Sequence, residues 1–81
     1  MATDTTYRVG GLTMHQCGHL LSAIESADAA DDDLRRCVHG RYVEGTEQQL
    51  REIASIARTL GCSEWDTALY GAYERIENEL P

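Results

Sequence analysis

The stretch TEQQLREIASIARTLG, residues 46–61, decides the fold class of this chain. At about 100° of rotation per residue, its apolar side chains share one face of a helix and its charged side chains lie on the other. The apolar face comprises Leu50, Ile53, Ile56, Ala57 and Leu60. Thr46 followed by Gln49 has the spacing of a capping box, and Gly61 is a residue type that often ends a helix. The sequence therefore predicts an amphipathic helix over about residues 46–60.

Two further segments have a helical pattern. Thr13 and Gln16 form a second capping box, which predicts a helix over about residues 13–27. Its apolar face is Met14, Cys17, Leu20, Leu21, Ile24 and Ala27. Ser63, with an Asp three residues later, predicts the start of a last helix over about residues 63–79. The inward side of that helix is expected to be Trp65, Leu69, Ala72, Tyr73, Ile76 and Leu80.

The remaining segments have weaker patterns. A run of aspartates favours a short helix over about residues 31–39, ended by Gly40, because carboxylates stabilise the first turn of a helix. Alternating β-branched and aromatic residues predict a strand at 5–9, which would pair with an extended segment at 41–43. The predicted fold is mostly α, with three to four short helices and a short N-terminal strand in one small domain over 1–81.

The size of the chain limits what it can do. It has 81 residues, of which 42% are hydrophobic, enough for one small core. Such a core gives marginal stability, so a homodimer or a bound partner would add to it. A deep catalytic pocket would remove packing from this core, and no nucleophile, base and orienting group stand at a recognisable spacing. We therefore expect no enzymatic activity and no cofactor.

The charge balance favours a basic partner. Fourteen acidic residues stand against seven basic ones, all arginine, for a net charge of −7. Such a field repels phosphate backbones and anionic membranes, so we expect a basic protein surface as the partner, without direct nucleic-acid or membrane binding. Arg-only usage with abundant Ala, Gly and Asp indicates a GC-rich coding genome, and favours a bacterium, a bacteriophage or a salt-adapted archaeon.

The cysteine count and the N-terminus favour a reducing compartment. Cys17, Cys37 and Cys62 are too few, and odd in number, for a disulfide framework. The first residues lack a basic region followed by an apolar run, and nowhere do about eighteen apolar residues follow one another. We expect a cytoplasmic location in a bacterial host cell.

Two clusters contain residue types that bind zinc. His15, Cys17 and His19 form the first, and Cys37 with His39 forms the second. Histidines one helical turn apart suit a zinc ion, and a thiolate and an imidazole from a second segment would complete a tetrahedron. Cys17, however, lies at the centre of the apolar arc, on the opposite side from both histidines. Core cysteines and solvent-facing histidines are the favoured interpretation, and a zinc-stabilised interaction module is an alternative hypothesis.

Residues 56–67 have the spacing of a helix-turn-helix motif. The motif needs a small residue where its helices touch and a Gly in the tight turn, and Ala57 and Gly61 meet these needs. Its second helix would offer acidic and hydroxyl side chains, with no Arg or Lys at its start to meet phosphate or guanine. A helix-turn-helix transcriptional regulator is therefore a further alternative.

The outward face of the last predicted helix is the candidate binding site. The rotation per residue aligns Asp66, Tyr70, Glu74 and Glu77 in one stripe. A Tyr supplies contact area with a polar tip, and carboxylates pair with arginines or lysines of a basic partner. A merely solvated acidic face is the other interpretation. The net charge favours partner binding, so we predict these four as partner-binding residues.

Part of the chain resembles a known family of inhibitors. The residues concerned are Thr6-Tyr7-Arg8-Val9-Gly10, Cys17-Gly18, Leu21, Ala23, Ile24 and Leu34-Arg35. They resemble the N-terminal half of a small type II-C anti-CRISPR protein, over about residues 6–35. That family is phage-encoded and binds the HNH nuclease domain of Cas9, so the resemblance implies a CRISPR-Cas effector as partner. The family places a carboxylate just before the Cys-Gly pair to meet the nuclease site, where this chain has His15-Gln16.

The resemblance, the net charge and the small size lead to one functional hypothesis. They predict a small, acidic, non-catalytic inhibitor of the anti-CRISPR kind. Its carboxylates would take the place of nucleic-acid phosphates and block a basic nucleic-acid-binding surface of the effector.

Overall fold

The protein folds as four helices and a two-stranded ribbon, as seen in a computed structural model that describes residues 5–27, 32–63 and 65–80. In chain order the elements are β1 (Thr6–Val9), α1 (Met14–Ser26), α2 (Asp32–Cys37), β2 (Val43–Thr46), α3 (Glu47–Ser63) and α4 (Thr67–Glu79). The prediction of a mostly α fold with a short N-terminal strand is confirmed. The predicted helix start at residue 31 lies outside the described residues.

The capping box predicted for α1 is present. The Gln16 amide donates to Thr13 Oγ1, and the Thr13 amide donates to Gln16 Oε1, both at 3.0 Å. The buried side of α1 is Cys17, Leu20, Ala23 and Ile24. Met14, predicted to be apolar-facing, is instead 65% exposed. Helical side chains lean towards the N-terminus, so the first residue of α1 extends past the end of the helix and away from the core.

The predicted pairing of the two strands is present, but the second strand lies further along the chain than predicted. β1 runs antiparallel to β2, with Thr6 opposite Thr46 and Val9 opposite Val43. The predicted partner, 41–43, overlaps β2 only at Val43. The chain first turns around residues 40 and 41, where the His39 amide donates to the Tyr42 carbonyl at 2.8 Å. Pairing therefore begins after that turn and runs up to α3.

The boundary between α3 and α4 differs from the prediction. α3 continues through Gly61 to Ser63, and α4 is capped by Asp66, whose carboxylate accepts the amides of Ala68 and Leu69 at 3.0 and 3.2 Å. Gly61 has no left-handed backbone and is buried, so it does not end the helix. A Cβ on Gly61 would lie 3.0 Å from the backbone nitrogen of Tyr70, so the missing side chain lets the two helices approach closely.

The core lies between the ribbon and the four helices. Its fully buried side chains include Val9, Leu20, Ile24, Leu34, Val43, Leu50, Ile53 and Ile76. Ile56, Leu60 and Tyr73, predicted to face inwards, are partly buried against this core. Trp65, predicted to face inwards as well, is 90% exposed because it precedes the cap of α4 rather than lying in the helix. Within the described residues, no helix has the length and apolar content needed to cross a membrane.

Candidate protein-binding site

The turn between α3 and α4 exposes the single tryptophan of the chain. Trp65 has φ of 55°, a left-handed backbone that is uncommon for a residue with a Cβ. The next residue, Asp66, is held by its capping hydrogen bonds, so the turn presents the indole outwards. A large apolar side chain in this position is typical of a binding surface when it belongs to a larger apolar patch.

Trp65 lines a groove of about 570 Å³ that runs along the start of α4. We name it the α4 groove, and its lining residues are Gly61, Cys62, Trp65, Asp66, Thr67, Tyr70, Gly71 and Glu74. Tyr70 is 41% exposed and its ring lies 5.5 Å from that of Tyr73, centroid to centroid. The groove thus combines two exposed aromatic side chains with two carboxylates, and its described lining contains no basic residue.

Asp66, the first residue of the predicted stripe, makes several hydrogen bonds within the protein. Besides capping α4, its Oδ2 lies 2.6 Å from Nδ1 of His19 on α1. The hydrogen bond from His19, together with those from the Leu69 and Ala68 amides, holds the pKa of the Asp66 carboxyl below its usual range, against an opposing effect of desolvation. Asp66 lies in the wall of the α4 groove, but its acceptor capacity is largely used within the molecule.

Glu77, the last residue of the predicted stripe, lies outside the α4 groove and has a partner. Its carboxylate is 3.7 Å from Nη1 of Arg51 on α3. Arg51 also donates from Nε to Glu47 at 2.8 Å, and the Glu47 hydrogen bond raises the pKa of the Arg51 guanidinium. Of the four predicted residues, the structure therefore brings Asp66, Tyr70 and Glu74 to one groove and separates Glu77 from them.

Glu74 is the carboxylate of the groove that has no partner within the described residues. Glu52 and Glu79 share this property but lie away from the groove. Other carboxylates are paired: Glu44 with Arg8 at 3.5 Å, and Glu25 with Arg35 at 3.3 Å. These carboxylates have partners within the protein, whereas Glu74 leaves an available charge beside the two exposed aromatic residues.

Trp65 is the residue of this site that sequence reasoning missed. The missed signal is Asp66, which is a good N-cap residue and takes the capping role from Ser63. Moving the cap from position 63 to 66 places Trp65 in the turn and removes it from the helical face count. The hydroxyl of Ser63 donates instead to the Leu60 carbonyl at 3.5 Å.

The candidate zinc ligands do not converge. The rings of His15 and His19 lie 4.2 Å apart, centroid to centroid, but Cys17 and Cys37 are buried. His39 stacks on Tyr42, with ring centroids 4.5 Å apart. Within the described parts of the chain, no three His, Cys, Asp or Glu side chains are grouped to hold a metal ion.

The predicted helix-turn-helix spacing corresponds to α3, the turn and α4, with Gly61 at the contact between the helices. The exposed side of the second helix presents Tyr70 and Glu74. Arg75, the basic residue of α4, donates from Nε to the Gly10 carbonyl at 2.9 Å. Gly61 lies within α3 and not, as the motif predicted, in the tight turn, and the charge of the outward face of α4 opposes a phosphate backbone.

Comparison of the chain with protein-family models, with curated proteins and with solved structures found no match.

Proposed function

We propose that this protein is a small, non-catalytic inhibitor that binds a basic, nucleic-acid-binding surface of another protein through the α4 groove. The observation that carries the proposal is the exposure of Trp65 and Tyr70 beside Glu74, in a groove whose described charged lining residues are both acidic. Aromatic anchors of this kind dominate the binding energy of protein interfaces. Carboxylates beside them select a basic partner and speed its approach.

A CRISPR-Cas effector is the proposed partner. The resemblance to a type II-C anti-CRISPR protein supports this choice, over about residues 6–35. Gln16, which stands just before the Cys-Gly pair in that resemblance, lies next to the groove, because a Cβ on Gly71 would be 3.0 Å from its Nε2. The resembling segment and the α4 groove therefore adjoin, and one partner surface can contact both.

Inhibition and pull-down of candidate effectors test the proposal. Glu74→Arg and Tyr70→Ala each alter the groove without removing a described hydrogen bond, and both are expected to weaken inhibition. Glu52→Arg is the matched control, since Glu52 is also exposed and unpaired within the described residues but lies on α3, away from the groove. Asp66 is unsuitable for charge reversal, because the change would also remove the cap of α4.

Loss of inhibition in both groove variants, with inhibition retained by Glu52→Arg, would support the proposal. If all three variants inhibited as strongly as the unmodified protein, the α4 groove would be excluded as the binding site. A lack of binding to any nucleic-acid-binding effector would exclude the inhibitor function itself.

A helix-turn-helix regulator is the second candidate, favoured by the close contact of α3 and α4 at Gly61. This function requires affinity for DNA that falls steeply with salt. An electrophoretic mobility shift at low ionic strength, with DNA from the promoter of the protein's own gene, tests it. No shift under those conditions would eliminate the regulator.

A further inference from the structure

We propose that the α4 groove binds an arginine side chain of a basic partner segment, with its guanidinium stacked on the aromatic walls and paired with Glu74. This inference rests on the proposed function and names the group that is recognised. Trp65 and Tyr70 supply the aromatic walls, and each has a large exposed fraction, 90% and 41%. Charge complementarity identifies the occupant, since the described lining holds carboxylates and no cation.

The molecule already uses this type of contact elsewhere. The guanidinium of Arg8 lies over the Tyr42 ring at 4.5 Å and also pairs with Glu44 at 3.5 Å. That arrangement joins an aromatic face, a guanidinium and a carboxylate in one contact. At the α4 groove, the aromatic faces and the carboxylate are present, and within the described residues no internal cation lies over Trp65 or Tyr70.

Arginine fits this groove better than lysine. A guanidinium is planar, so it can stack on an aromatic ring and present its in-plane N–H groups to a carboxylate at the same time. An ammonium group is compact and more strongly hydrated, and it gains less from the aromatic walls. A neutral planar group keeps the stacking but loses the attraction to Glu74. The expected order of affinity is arginine, then lysine, then citrulline.

The fluorescence of Trp65 measures this binding directly, because Trp65 is the single tryptophan of the chain and lines the groove. The probe is a short peptide of alternating arginine and glycine that contains no Trp or Tyr. Matched peptides replace each arginine with lysine or with citrulline. We expect the arginine peptide to change the emission of Trp65 saturably and to bind several-fold more tightly than the lysine peptide. The citrulline peptide should bind more weakly still.

Variants separate the groove from general charge attraction. Glu74→Gln is expected to weaken binding of the arginine peptide about fivefold, whereas Glu52→Gln, which removes the same charge on α3, should change it less than twofold. Tyr70→Ala removes one aromatic wall, so it should reduce the difference in affinity between the arginine and lysine peptides. Far-UV circular dichroism establishes that each variant is folded, and the citrulline comparison uses the unmodified protein.

Several outcomes would overturn the inference. Equal affinity for the arginine and lysine peptides would exclude a stacked guanidinium, and equal affinity for citrulline would exclude the pairing with Glu74. Emission that changes on dilution of the protein alone would show that a second copy occupies the groove. Peptide binding without inhibition of any effector would keep the arginine site and refute the proposed function. Effector inhibition without peptide binding would refute the arginine site and keep the proposed function.

Discussion

Replacing Gly61 with alanine has two opposing effects on stability: it raises helix propensity and it adds a side chain at a close contact with α4. Gly61 lies in the last turn of α3, where an alanine favours the helix by up to about 1 kcal/mol. Its position is also buried against α4. A Cβ there would lie 3.0 Å from the backbone nitrogen of Tyr70 and 3.3 Å from both the Asp66 carbonyl oxygen and Leu69 Cβ. Two of these neighbours are backbone atoms, which cannot rotate away.

Overpacking of this kind usually costs about 1–3 kcal/mol, so we expect it to exceed the gain in helix propensity. The predicted net effect of Gly61→Ala is a loss of about 1 kcal/mol in the free energy of unfolding. Gly18→Ala is the matched control, because Gly18 is also inside a helix but a Cβ there meets nothing within 4 Å. That variant should gain about 0.5–1 kcal/mol.

Urea and thermal unfolding followed by circular dichroism measure both variants. In a domain of this size, 1 kcal/mol corresponds to about 4–8 °C in Tm, so the two variants should move in opposite directions by readily resolved amounts. If Gly61→Ala were as stable as the unmodified protein, α3 and α4 would not be in the close contact described. If both variants were stabilised equally, helix propensity alone would explain the two positions.

Three further predictions concern local features. Thr13→Ala removes the hydroxyl of the α1 capping box and should cost about 1 kcal/mol in urea unfolding, and an unchanged midpoint would show that the box adds nothing. In the native protein, Ellman's reagent should react rapidly with the exposed thiol of Cys62 and slowly with Cys17, whose pKa is raised by burial; Cys62→Ser should remove the fast phase. The pKa of Asp66 is lowered in the folded state, so its contribution to stability is complete above the unfolded value of about 3.9 and is lost as pH falls through the folded value. The stability difference between the unmodified protein and Asp66→Asn should therefore shrink as urea unfolding is measured at lower pH, and a constant difference would refute the pairing with His19.

The parts of the fold that depend on local chemistry could be predicted from sequence. Both capping boxes are present, since the Gln49 amide donates to Thr46 Oγ1 at 3.2 Å and the Thr46 amide donates to Gln49 Oε1 at 3.0 Å. The hydrogen bonds of a capping box join residues three positions apart, and sequence spacing reveals them. The prediction that Gly61 ends α3 was wrong because Gly61 instead packs against α4. A glycine that ends a helix and one that packs against another helix look alike in sequence.

The candidate site was predicted only in part, for a similar reason. Helical periodicity identified Asp66, Tyr70 and Glu74, which line the α4 groove. It also included Glu77, which lies outside the groove, and it could not show that Asp66 and Glu77 have partners on other helices, because periodicity describes one helix at a time. The bond from Asp66 to His19 spans 47 positions of the chain. The predicted cap of α4 lies three residues too early, which wrongly placed Trp65 on the inward side of the helix.

If the protein binds a basic partner as proposed, the distribution of charge favours recognition by the α4 groove over recognition by the net charge of −7. A long-range field increases the rate of encounter with any basic surface, but salt screens it and it does not distinguish one basic partner from another. Within the described residues, arginines pair with several carboxylates, which are therefore less available to a partner. Selectivity must then come from short-range contacts, where an unpaired carboxylate and two exposed aromatic rings meet. Glu74, Trp65 and Tyr70 provide that combination in one groove.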